Sequence, residues 1–196
     1  MPAIGITGGI GTGKSTLTRC LRGLLPEAAF FDADAMAREL TASDQSVLAE
    51  IRKEFGDAVF AANGELNRAA LRAIVFHAPD RRRALEEILH PRIRQRWSAE
   101  ADQHRGTTDF YFADIPLLYE TGGDTLCDRV VVVACTAETQ MQRLMQRLDR
   151  ITASAIIRTQ MPLAEKMQRA THVVWNNGPE SALAEEARLL VKLWKA

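Results

Sequence analysis

Nine consecutive residues, Gly8-Gly9-Ile10-Gly11-Thr12-Gly13-Lys14-Ser15-Thr16, carry the strongest chemical signal in the chain. Gly8 and Gly13 frame a loop that ends in Lys14 and Ser15, the pattern of a P-loop. Glycines let successive backbone N–H groups turn inward toward anionic oxygens, and the helix that follows offers its positive end to the same anion. Gly9, Gly11, Thr12, Gly13, Lys14, Ser15 and Thr16 are therefore expected to cradle a nucleoside triphosphate. Lys14 would bridge the β- and γ-phosphates, and Ser15 would give its hydroxyl oxygen to Mg²⁺.

Carboxylates and arginines supply the other candidates. Phe31-Asp32-Ala33-Asp34 puts two carboxylates at the end of an apolar run, where a parallel sheet presents ligands. Asp34 could take the proton of an acceptor hydroxyl, or could cap a helix starting at Ala35. Asp114 closes the run from Phe110, and reads either as a Mg²⁺ ligand or as the solvent-facing end of a strand. Arg143 and Arg147 stand four residues apart, one face of a helix. Between 143 and 169 lie Arg143, Arg147, Arg150, Arg158, Lys166 and Arg169 against only Asp149 and Glu165. A segment covering the phosphates would use such arginines against the charge developing in transfer, while a solvated helix face is the other reading.

Elements that could position these residues are legible in the apolar pattern. Ala3 to Thr7, Ala28 to Phe31, Phe110 to Ile115, Val130 to Ala134 and Val173 to Trp175 are short runs without polar alternation, as buried parallel strands have. Lys14 to Leu25 has helical spacing and stops at Pro26. Some seventy residues, about Ala35 to Arg105, separate the second and third strands, far more than a crossover requires. Their periodicity is helical, broken at Asn63-Gly64 and Ala78-Pro79, with Asn67 placed to cap a helix through Leu71. A final amphipathic helix is expected over about Pro179 to Trp194. The fold class predicted is α/β, a three-layer parallel-sheet P-loop nucleoside-triphosphate-hydrolase-like fold with a helical insertion and a lid.

Composition narrows the function further. The chain has 196 residues, 46% hydrophobic and 26% charged, with 25 basic and 25 acidic groups. Disordered, collagenous and coiled-coil classes are excluded, and no global positive charge favours nucleic acid. Among the basic residues arginine outnumbers lysine 20 to 5. Cys20, Cys127 and Cys135 show no metal or redox spacing and are expected as free thiols. His77, His90, His104 and His172 are too scattered for a zinc site. Neither a cleavable leader nor a membrane span is apparent, so a cytoplasmic protein is expected. Asn176-Asn177-Gly178-Pro179 lacks the Lys and Asp of a guanine-reading motif, which favours a small-molecule kinase over a GTPase switch.

These motifs, in this order, resemble the dephospho-CoA kinase family along essentially the whole chain. The resemblance rests on the P-loop, on Asp32-Ala33-Asp34 with Arg38, and on Gly64-Glu65-Leu66-Asn67-Arg68 with Leu71-Arg72. It continues through Leu89-His90-Pro91, Asp114-Ile115-Pro116-Leu117-Leu118-Tyr119-Glu120, Glu138-Thr139-Gln140, Gln160-Met161-Pro162-Leu163 and Asn176-Asn177-Gly178. It implies ATP- and Mg²⁺-dependent phosphorylation of the dephospho-CoA 3′-hydroxyl. Implied roles are Asp34, Lys14, Arg147 and Arg143 in catalysis, and Ser15 and Asp114 at the metal. Asn177 would join the nucleotide site, and Asp34, Arg38, Leu71, His90, Pro116 and Leu117 the acceptor site. It also implies a core of 1–34, 106–146 and 170–196, a CoA-binding domain over 35–105 and a lid over 147–169. A monomer or weak homo-oligomer without nucleic-acid or membrane partners is expected. The chain departs from the family at Ala170-Thr171-His172, where an Asp usually precedes the last strand, and at Arg147-Leu148-Asp149-Arg150, where the family has an Arg-Asp junction.

Overall fold

A computed structural model describes residues 2–106 and 109–195. Thr107 and Thr108, near the start of the expected 106–146 core segment, lie outside the described residues, as does the side chain of His77. The chain divides into two compact units, Met1–Phe31 with Glu100–Ala196, and Asp32–Ala99.

The first unit is built on a five-stranded sheet. Its strands are β1 (Ala3–Gly8), β2 (Ala29–Asp32), β3 (Tyr111–Asp114), β4 (Arg129–Ala134) and β5 (His172–Trp175), in the order β2-β3-β1-β4-β5. β1 runs parallel to both β3 and β4, and β4 parallel to β5. All five expected strands are present, each differing by one residue at one or both ends. Both faces are covered, which is why the runs showed no polar alternation. Ile4, Ile6, Phe112, Val131, Val133 and Val174 point to one side. There they meet Leu17 and Leu21 of α1 (Lys14–Leu24) and Leu183, Ala187, Leu190 and Trp194 of α9 (Glu180–Lys195). On the other side Leu118 and Cys127 press so closely on Gly5 that a Cβ there would lie within 2.8 Å of both. Between β4 and β5 run α6 (Ala137–Leu144), α7 (Arg150–Arg158) and α8 (Leu163–Arg169).

The second unit is helical, as its periodicity predicts. It comprises α2 (Ala33–Ser43), α3 (Gln45–Phe55), α4 (Arg68–His77) and the first part of α5 (Pro79–His104). Leu40, Val47, Ile51, Phe55, Val59 and Leu71 form its core. Asn67 caps α4 by accepting from the Ala70 N–H at 3.1 Å. Asn63-Gly64 lies between Phe60 and Leu66, which pair in an isolated antiparallel bridge. At Ala78-Pro79 one helix ends and the next begins without a loop, because proline suits a first helical position. One break was not foreseen: Asp44 ends α2 and caps α3, accepting from the N–H groups of Ser46 and Val47.

Two local expectations are corrected. The cap of α2 is Asp32, whose carboxylate accepts from the Ala35 N–H at 2.8 Å, so the helix starts at Ala33 and Asp34 sits exposed in its first turn. Arg143 and Arg147 do not share a helix face, because α6 ends at Leu144 and Arg147 lies in the turn that follows. The capping of α7 by Asp149, which accepts from Thr152 N–H at 2.9 Å, requires that break.

Candidate active site

The P-loop joins β1 to α1. Gly11 and Gly13 adopt φ of 76° and 100°, the left-handed region where a side chain is strained, and Gly13 is also the N-cap of α1. Lys14 opens the helix, and its ammonium pairs with the Asp114 carboxylate at the end of β3. Register explains the meeting, since β3 lies beside β1 with Asp114 opposite Ile6. Both side chains are largely buried, 14% and 10% exposed, so their attraction is poorly screened. Thr18, one helical turn after Lys14, donates its hydroxyl to the second Asp114 oxygen at 2.8 Å. Ser15 is exposed at the mouth of the loop and Thr16 is half-buried.

The Ser15 hydroxyl and the Asp114 carboxylate are hard oxygens, the donor type Mg²⁺ takes together with phosphate oxygens and water. Among the described residues no group of three or more His, Cys, Asp or Glu side chains gathers into an all-protein metal site.

Side chains distant in sequence hold the loop from outside. Gln140 of α6 donates to the Ile10 carbonyl at 2.7 Å, and Gln160 accepts from the Ile10 N–H at 2.9 Å. The Thr12 carbonyl accepts from Asn176 at 2.8 Å and from Arg143 at 3.3 Å. Of the two expected arginines, Arg143 therefore reaches the loop, while Arg147 is exposed in its turn. Asn177 is exposed and accepts from the Thr136 N–H at 2.9 Å, just before α6.

Beyond the loop, the segment after β3 is tied to α8. The Pro116 carbonyl accepts from the Thr7 hydroxyl at 3.0 Å and from Lys166 at 2.9 Å. Lys166, fully buried, also pairs with Glu120 at 2.8 Å, and Glu120 accepts from the Met161 N–H at 2.9 Å. Arg169 bridges to Asp124 at 2.9 Å while stacking over the Tyr119 ring. Three of the six basic residues between 143 and 169, Arg143, Lys166 and Arg169, are thus bound within the protein. Leu117 is half-buried beside them.

The remaining candidates belong to the helical unit. Arg38 is exposed, and its carbonyl accepts from Arg68. Leu71 is buried in the unit's own core. His90 is half-buried on α5, and burial holds its imidazole below the ordinary value against the opposing pull of Glu86. All three cysteines are free; burial pushes the Cys127 thiol up to about 12 and raises that of Cys135, which disfavours the thiolate form at both.

Sequence reasoning assigned no role to Thr18, Gln140, Gln160 or Asn176. Three of these are amides or hydroxyls that stay buried, only 6–7% exposed, which is where a polar side chain must find a partner. Their sequence signal is a lone polar group among core residues, which spacing alone does not connect to the loop.

A family described as dephospho-CoA kinase matches the chain over residues 2–181. A dephospho-CoA kinase of Geobacillus kaustophilus is 40% identical over 197 residues, covering 98% of this chain and 96% of that protein. A crystal structure from Thermus thermophilus superposes with a TM-score of 0.80 at 36% identity, covering 99% of this chain and 97% of that one. The dephospho-CoA kinase of Campylobacter jejuni shares the fold, with a TM-score of 0.72 at 24% identity over 97% and 95% of the two chains.

Proposed function

The chain belongs to the dephospho-CoA kinase family, and from that premise we propose that it transfers the γ-phosphate of ATP to the 3′-hydroxyl of dephospho-CoA, giving coenzyme A and ADP. The observation that carries the reading is Lys14 on a left-turning glycine loop, its ammonium meeting the Asp114 carboxylate at the adjacent strand end. A loop of inward-facing N–H groups binds polyphosphate, and a lysine beside it neutralises the phosphoryl oxygens during transfer. Ser15 and Asp114 would hold Mg²⁺, which when bound would supply positive charge against the negative charge of the phosphates.

The chain's own residues do the rest in this reading. Lys14 binds the triphosphate in the ground state and follows the charge as it moves to the leaving oxygen. Arg143, already bonded to the loop, and Arg147 add positive charge where transfer develops negative charge. Asp34 orients the acceptor hydroxyl and takes its proton. Arg38, His90, Pro116 and Leu117 serve the acceptor and Asn177 the nucleotide, with Leu71 acting through packing. Segment 147–169 works as a lid that excludes water. The enzyme acts in the cytoplasm, as a monomer or weak homo-oligomer.

One assay tests the assignment. ATP consumption is followed with dephospho-CoA, with a panel of nucleosides, and with no acceptor. Turnover confined to dephospho-CoA is expected. Turnover with a nucleoside would reassign the acceptor, and acceptor-independent hydrolysis would make the chain a nucleotide switch.

A further inference from the structure

The P-loop is usually considered from the side its phosphate will occupy. Here its outer side is the more informative. The Ile10 carbonyl accepts from Gln140 at 2.7 Å, and the Thr12 carbonyl from Asn176 at 2.8 Å. Both amide side chains are buried, 6% and 7% exposed, on elements more than a hundred residues further along the chain. In a trans peptide the C=O and the following N–H point in opposite directions, so fixing one fixes the other. Holding the Ile10 carbonyl outward turns the Gly11 N–H inward, and holding the Thr12 carbonyl outward does the same for Gly13.

The glycines register how close this grip is. A Cβ on Gly9 would lie 2.7 Å from the Gln140 amide nitrogen, and one on Gly13 only 2.0 Å from that of Asn176. Glycine at 13 therefore answers two demands, a φ of 100° and the approach of Asn176 from behind.

We infer that Gln140 and Asn176 are positioning residues for phosphate binding, gripping the P-loop by its outward carbonyls so that the Gly11 and Gly13 N–H groups converge on the β-phosphate. Neither touches the nucleotide in this arrangement. Each acts by setting the orientation of one peptide before the anion arrives, so the N–H groups need no reorganisation on binding. The inference rests on the reading of the loop as a triphosphate site.

Neutral substitutions of similar size, Asn176→Leu and Gln140→Met, remove the amide donors without adding charge, leaving the Thr12 carbonyl its longer bond from Arg143 at 3.3 Å. Calorimetric titration with ADP, and KM for ATP and for dephospho-CoA, are measured for each variant and the wild type. Each variant is expected to weaken ADP binding and raise KM for ATP by about tenfold, the worth of an oriented hydrogen bond to a charged group. KM for dephospho-CoA should stay within twofold, a split that a loosened fold would not produce. ADP affinity within twofold of wild type, or both KM values rising together, overturns the inference. Wild-type protein that binds no ADP would instead overturn the triphosphate reading. Should the variants fail to fold, hydrogen exchange in the wild type decides. The Asn176 side-chain amide should exchange far more slowly than that of Asn177, and equal rates would exclude the grip.

Discussion

Lys14 and Asp34 are assigned different moments of one reaction, and substitution should separate them. In the proposed reaction Lys14 meets phosphate oxygens before and during transfer, so Lys14→Ala is expected to weaken nucleotide binding and turnover together. It also takes from Asp114 its cationic partner, leaving it, among the described residues, the Thr18 hydroxyl at 2.8 Å. The capping of α2 falls to Asp32, not to Asp34. Asp34→Asn keeps the size of the side chain and the helix start but removes the carboxylate proposed to accept the proton. Turnover should fall about a hundredfold or more, with ADP affinity unchanged. Single-turnover kinetics alongside calorimetry would check both variants, and an Asp34→Asn enzyme of normal turnover would remove Asp34 from the mechanism.

At the level of elements, the segment after β3 and helix α8 are joined by an ion pair whose cost and benefit can be measured. Lys166 is fully buried and its partner Glu120 is 20% exposed. The Pro116 carbonyl and the Met161 N–H complete the set. Removing one member leaves the other charge without compensation, so Glu120→Ala should destabilise by about 3 kcal/mol. Replacing both, as Glu120→Leu with Lys166→Met, should recover much of that loss. Urea unfolding of the two singles and the double gives the coupling, and strictly additive losses would show that the pair is not one unit. The same elements show what a sequence discloses. Strand positions were legible because burial on both faces leaves a continuous apolar run, and the P-loop because its chemistry demands contiguous residue types. Lys166 looked like a lid cation because charge counts carry no depth. Asn176 passed unassigned because its partner, the Thr12 carbonyl, is 164 residues away and belongs to the backbone. At Thr171, where the chain departs from the family pattern, the hydroxyl accepts from the Val130 N–H at 3.0 Å and so ties the start of β5 to β4.

Across the whole molecule, the balance of 25 basic and 25 acidic groups conceals how the arginines are used. Arg22, Arg52, Arg81 and Arg169 lie over the rings of Phe30, Phe60, Phe55 and Tyr119, a contact that favours a planar guanidinium over an ammonium. Arg52, Arg81 and Arg169 pair with carboxylates as well. Four of the twenty arginines thus serve the protein's own packing. Each of the two units has its own apolar core and its own buried tryptophan, Trp194 packed against Phe110 and Phe112 in one and Trp97 in the other. The P-loop lies in the unit that contains Trp194, so nucleotide binding should be read there. With Trp97 and Trp175 replaced by Phe, fluorescence reports that unit alone. ADP at about a hundred times its Kd adds roughly 2.7 kcal/mol to the state that binds it, and the Trp194 transition in urea should move to higher denaturant accordingly. A transition that ignores ADP while calorimetry shows it bound would mean that the nucleotide does not discriminate this unit's folded state from its unfolded one, and the loop held by Gln140 and Asn176 could not then be its site.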